Sequence, residues 1–281
     1  MDELFAAAHA RLALLDDRSG RGSADAEDPS DPETVQAMPL VLEIPHDPLS
    51  DRRALLEAAA RACVAVCLDP RAGEDPAVSP WAGALVRWYG ARIRKVARRA
   101  RNKKWRDVQE VPGVTVTVGT ASARAFLPCP VHRTPPAVNK LQISGVDLAP
   151  DPSYAVETGD PEAVLRGDGD NGDDGHGAAD PVIYVDGSLG MSVGKAAAQV
   201  CHGSMLLAAA MTVDAAAAWA ERGFPLHVCE VDAARFAAVH AAARQVRAGT
   251  GRSTDRTAAV VQDAGYTEVA PGSVTVVAMT R

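Results

Sequence analysis

Aromatic side chains are scarce in this chain: Phe, Tyr and Trp together make up 4% of its 281 residues. Any core must therefore be filled mainly by Ala, Val and Leu, and a hydrophobic content of 47% is enough for two modest domains. Apolar runs of membrane length are missing, as is a secretory leader pattern, so neither a spanning nor an exported protein is expected. The five cysteines, Cys63, Cys67, Cys129, Cys201 and Cys229, are odd in number and lack C-x-x-C spacing. A reduced, cytoplasmic setting with buried structural thiols follows, and no metal cluster or cofactor motif is expected. The net charge of −7 excludes a protein that grips nucleic acid with its whole surface, although the charge is unevenly placed.

What is present is concentrated between Val182 and His202. Four β-formers, Val182-Ile-Tyr-Val185, precede a turn-rich segment and then an Ala-rich run without Pro. The pattern predicts a strand, a loop and a helix with Ser192 as its N-cap. On that helix Lys195, Gln199 and His202 fall at i, i+4 and i+7 and share a face near an N-terminus whose free amides favour an anion. Gly190-Met-Ser-Val-Gly194-Lys195 imitates a P-loop but fails it. Only three residues separate the glycines, and Ala196 stands where Mg²⁺ needs a hydroxyl.

Far along the chain, Val260-Val-Gln-Asp263-Ala-Gly265-Tyr-Thr267-Glu-Val-Ala-Pro271-Gly272-Ser273-Val-Thr275 reads as strand, two turns and strand, with Asp263 at a strand end. Together, Gly-Lys-Ala-Ala-Ala-Gln-x-x-His and Gln-Asp-Ala-Gly-x-Thr-x-x-Ala-Pro-Gly-Ser-x-Thr resemble the type 2 peptidyl-tRNA hydrolases, over the last hundred residues and nothing before Pro181. The resemblance implies hydrolysis of the ester between a peptide and the terminal ribose of tRNA, without cofactor or metal. It places Lys195, Gln199, His202, Asp263 and Thr267 in the catalytic machinery, with Asp263 as the base, directly or through Thr267. Ser192, Gly194 and Thr275 are placed against the substrate. Two readings compete with it: a tRNA- or RNA-binding factor whose hydrolase-like fold is catalytically impaired, and a deacylase of D-aminoacyl-tRNA.

The expected fold class is α/β. A C-terminal three-layer domain, 181–281, carries a small mixed four-stranded sheet and is preceded by a smaller α/β domain, 38–148. Residues 1–37 read as a short helix and a flexible acidic arm, and 149–180 as a flexible acidic linker whose Asp/Gly run lacks the closing Glu of a calcium loop. The N-terminal domain begins as the C-terminal one does, with strand, Ala-rich helix, Trp-bearing segment and strand. It lacks the Gly-Lys and Gln-Asp-x-Gly elements, so a duplicated copy would have lost the chemistry; the plainer expectation is a separate domain. From Trp81 to Glu110 the pattern predicts one long helix whose basic face, with Trp88 and Trp105, holds the tRNA body through Arg94, Arg98 and Arg101. Oligomeric state is left open, a dimer being one option.

Overall fold

The computed structural model describes residues 2–16, 27–28, 30–143, 148–149, 180–249, 256–265 and 267–280. The acidic run 150–179 and the greater part of the loop after Ala248 lie outside these residues.

In chain order come α1 (Glu3–Ala13), β1 (Gln36–Glu43), α2 (Arg52–Cys67), α3 (Pro80–Gly90), β2 (Arg94–Ala100), α4 (Asn102–Asp107), β3 (Gly113–Val118), β4 (Ala121–Phe126), the two-residue β5 (Cys129–Pro130) and α5 (Pro136–Asn139). After the undescribed stretch follow β6 (Val182–Asp186), α6 (Val193–Ala210), α7 (Val213–Glu221), β7 (His227–Val231), α8 (Ala233–Arg247), β8 (Ala258–Gln262) and β9 (Val274–Met279). The fold is α/β with two small mixed sheets, as the patterning indicated.

The two sheets have the same topology. One runs in the order β2-β1-β4-β3, with β5 added to β1, and the other in the order β7-β6-β9-β8. In each, the first two strands of the half are parallel and the remaining pairs antiparallel. Each half also places two helices between its first and second strands and one between its second and third. The chain therefore contains one half-fold twice.

The halves are not separate bodies. α2 and α6 pack against each other between the sheets, and one hydrophobic cluster joins Leu40, Leu55, Cys63, Ile183, Val200 and Met205. Counted from their N-caps, Asp51 and Ser192, the two helices exchange equivalent bonds. Ser204 Oγ donates to the Ala60 carbonyl at 2.8 Å, and Cys63 Sγ reaches the Cys201 carbonyl at 3.5 Å. Such reciprocity is the mark of an isologous, two-fold interface, here between parts of one chain. The Ala-rich helices explain the closeness: with few large side chains, a hydroxyl or thiol of one helix spans to the backbone of the other. Gly203 has a related role on the sheet side, because a Cβ there would lie 2.9 Å from Val276 Cγ1 and 3.3 Å from Ile183 Cγ2.

Outside this shared layer, α8 covers the far face of the second sheet through Phe236, Val239 and Ala243. On the first sheet, Val108 and Val138 pack over Val41 and Phe126. α1 joins the central layer by burying Phe5, Ala8 and Leu12, and His9 Nε2 lies 3.0 Å from the Ala208 carbonyl.

The long basic helix is not formed. α3 ends at Gly90, and Arg94–Ala100 is an edge strand parallel to β1, followed by the short α4. Trp88 is fully buried, its indole N–H donating to the Arg94 carbonyl at 3.1 Å, so it offers no stacking surface. Pairing with β1 satisfies the backbone of this segment, and tertiary context overrides the helical pattern of its side chains. The arm is also partly built in: Glu27 receives Arg94 through two bonds of 2.6 and 2.7 Å, and Asp28, Ser30 and Thr34 close a hydrogen-bonded turn.

Candidate active site

The stretch that carries the chemistry folds as strand, short turn and helix. β6 is apolar because both faces of it are covered, and Ser192 caps α6 by accepting from the Lys195 amide at 3.2 Å. β8 delivers Asp263 to the mouth of the same helix. Its backbone is pinned there, with the Asp263 amide on the Ser273 carbonyl at 2.9 Å and the Gly272 amide on the Asp263 carbonyl at 2.8 Å. Gly265 makes the turn with φ of +78°, at a place where a Cβ would collide with Pro271.

Four of the expected residues form one network. Lys195 Nζ pairs with Asp263 Oδ2 at 2.5 Å, and both side chains are 11% exposed. Gln199 Nε2 donates to the same oxygen at 2.8 Å, while Gln199 Oε1 accepts from Thr275 Oγ1 at 2.6 Å. That hydroxyl fixes which end of the amide faces Asp263. Thr275 was expected to touch substrate. It is fully buried beneath Gln199 instead, because β9 is an inner strand under α6, so it orients the amide. The second carboxylate oxygen, Oδ1, accepts from the Gly265 amide at 2.7 Å.

His202 lies farther along the face and meets the other half of the molecule. Lys95 of β2 brings Nζ to 2.9 Å from His202 Nδ1 and 3.0 Å from Met205 Sδ, and lies over the Trp88 ring at 4.9 Å from its centroid. Burial, reinforced by the charges of Lys95 and Lys195, holds His202 well below the usual imidazole range. An ammonium has no acceptor, so Nδ1 is the unprotonated nitrogen and the proton of the neutral ring sits on Nε2. Burial also lowers the pKa of Lys95 itself.

The other expected residues are placed differently. Thr267 is exposed on the loop after Gly265, and no hydrogen bond joins it to Asp263 among the described residues. Gly194 packs near Ala97 of β2, to which a Cβ on it would come within 3.8 Å. Arg94 is taken up by Glu27. Arg98 donates to the Asn139 and Leu141 carbonyls at 3.0 and 2.9 Å, on the sheet face away from α6. Both are structural, and of the three arginines only Arg101 is exposed. Glu268 escaped sequence reasoning. It takes the Ser192 amide at 2.8 Å and hydroxyl at 2.6 Å, tying the loop after β8 to the start of α6. A carboxylate drawn to a helix N-terminus was the available signal.

A carboxylate, a lysine and an oriented amide converging at the N-terminus of a helix, on a small mixed α/β sheet, define a site suited to adding water to an activated carbonyl. Residues 180–280 match the family model described as peptidyl-tRNA hydrolase PTH2. The match spans the second half-fold and supports a function of peptidyl-tRNA hydrolase type at the level of that family. The first half-fold lies outside it. No curated protein matches the chain. No helix among the described residues is long and apolar enough to cross a membrane.

Proposed function

We propose that the second half-fold hydrolyses the ester linking a peptide to the terminal ribose of tRNA. The observation that carries this reading is the triply held carboxylate of Asp263. A carboxylate offers about four acceptor sites. Lys195, Gln199 and the Gly265 amide use three, and the open one on Oδ1 is available to a water. Asp263 then takes the proton of that water as its oxygen attacks the ester carbonyl. Lys195 answers the negative charge that develops on the carbonyl oxygen. Collapse of the tetrahedral intermediate expels the ribose oxygen, which takes the proton held by Asp263 and so restores the carboxylate.

The reading is tested by comparing turnover of peptidyl-tRNA, D-aminoacyl-tRNA and a simple ester by the full-length protein. Peptidyl-tRNA is expected to be cleaved with the highest kcat/KM. A higher value for D-aminoacyl-tRNA makes the protein a deacylase of that substrate, and tRNA binding without turnover of any of the three makes it an RNA-binding factor.

A further inference from the structure

The two half-folds meet along two seams that are built from equivalent positions and differ in charge. Leu42 and Val185 each precede the acidic last residue of their strands, Glu43 and Asp186, and both face the central helices. Their partners on the neighbouring parallel strands are Arg99 and Glu230. Arg52 and Val193 are likewise equivalent, each being the first residue after the N-cap of its helix.

In the first seam these positions close on each other. Arg52 grips Glu230 through two bonds of 2.8 Å, with the side chains 3% and 9% exposed, and it also donates to the Leu148 and Met191 carbonyls at 2.7 and 3.0 Å. In the second seam the carboxylate has become the guanidinium of Arg99 and the guanidinium has become the isopropyl group of Val193. The pair of opposite charges in the first seam is thereby matched in the second by one cation, Arg99, and an apolar residue, Val193, which immediately precedes Gly194 and Lys195.

Arg99 shares the helix-facing side of β2 with Lys95 and Ala97, whose β1 partners Met38, Leu40 and Leu42 all lie in the central core. That side reaches His202 through Lys95 and the start of α6 through Ala97, so Arg99 stands next along the strand. One Arg99 Nη donates to Gln142 Oε1 at 2.6 Å, while its Nε is buried with no partner. Arg101 continues the alternation, with an extended backbone of φ −157° and ψ 162°, and is exposed.

We propose that this second seam binds a phosphate of the substrate RNA backbone, with Arg99 and Arg101 as its grip. The half-fold without the catalytic side chains thus forms one wall of the other half's site. A guanidinium fork matches phosphate oxygens in pairs, and the anion answers Arg99 as Glu230 answers Arg52 in the first seam. The inference rests on the peptidyl-tRNA reading for the identity of the RNA, and is testable without turnover.

Binding of deacylated tRNA by fluorescence anisotropy is measured from 50 to 200 mM KCl for the wild type, the Arg99→Gln/Arg101→Gln variant and Arg244→Gln, which removes an exposed charge from α8. The double variant is expected to bind about tenfold or more weakly at low salt. The slope of log K against log salt should become shallower by about 0.7–0.9 per lost contact. Arg244→Gln should match the wild type. Arg101→Gln alone, at an exposed position, should show half the slope change and covers the case in which the double variant does not fold. Wild-type affinity and slope in the folded variants, or no tRNA binding by the wild type, overturn the wall. Arginine-dependent binding without hydrolysis of peptidyl-tRNA overturns the proposed activity and leaves the wall standing.

Discussion

The two half-folds share a strand order and a helix register, yet only one carries a site. Counted from the N-caps, Lys195 and Gln199 correspond to Ala54 and Ala58 of α2. By strand register, Thr275 corresponds to Ser122, and Val118 stands at the end of β3 where β8 delivers Asp263. The first half has the scaffold without the polar network. The difference shows that this topology forms around the shared layer of small and apolar residues on α2 and α6 with or without the polar network.

The largest effect expected from breaking this asymmetry is on rate. Asp263→Asn makes the second half resemble the first, and a loss of about 10²–10⁴-fold in kcat is expected, since an amide cannot take the proton. Binding of tRNA should be nearly unchanged, and a kcat close to wild type in a steady-state assay removes Asp263 from the mechanism.

Next in size is a stability effect confined to the closed seam. Glu230→Ala leaves Arg52 charged and buried, and unfolding in urea should show a loss of about 3–5 kcal/mol. Arg52→Met with Glu230→Leu should recover part of it, because no uncompensated charge remains. A single variant as stable as the wild type shows that the seam is hydrated in solution.

The smallest effect is a pH dependence that sharpens the contrast between α6 and α2, where Arg61 occupies the place of His202. The folded-state pKa of His202 is depressed, so below about 6.5 the unfolded chain binds a proton that the native state refuses. Unfolding free energy should therefore fall as pH drops below that value and be fully present above it. In His202→Gln the slope of stability against pH in this window should be reduced, as followed by urea titrations from pH 5 to 8. An unchanged slope excludes His202 as its source.

Much of the second half was legible in the sequence. The helix expected after the Ser192 cap is observed as Val193–Ala210, because the cap is a local device. Lys195, Gln199 and Asp263 could be selected in advance because a helix face and a strand end are short-range geometry. The strand Arg94–Ala100 was not legible, since ten basic residues without an acid between Trp81 and Arg106 obscure any period, and its partner β1 lies more than 50 residues earlier. Glu27 on Arg94 and Glu268 on Ser192 were missed for a similar reason: both are long-range pairings whose signal is a single acid in a loop.

By itself the sequence determined the α/β class, the cap and start of the helix that carries the site, and the polar side chains Lys195, Gln199 and Asp263 that meet there. These depend on propensity, periodicity and hydrogen bonds that close within a few residues. Only the tertiary structure decided that the first half repeats the second in topology, that the two share one core, and that one seam is sealed by Arg52 and Glu230 while Val193 and Arg99 stand at the equivalent positions of the other. Strand order and the pairing of residues 178 positions apart depend on which surfaces meet once the helices pack, and no local pattern encodes that.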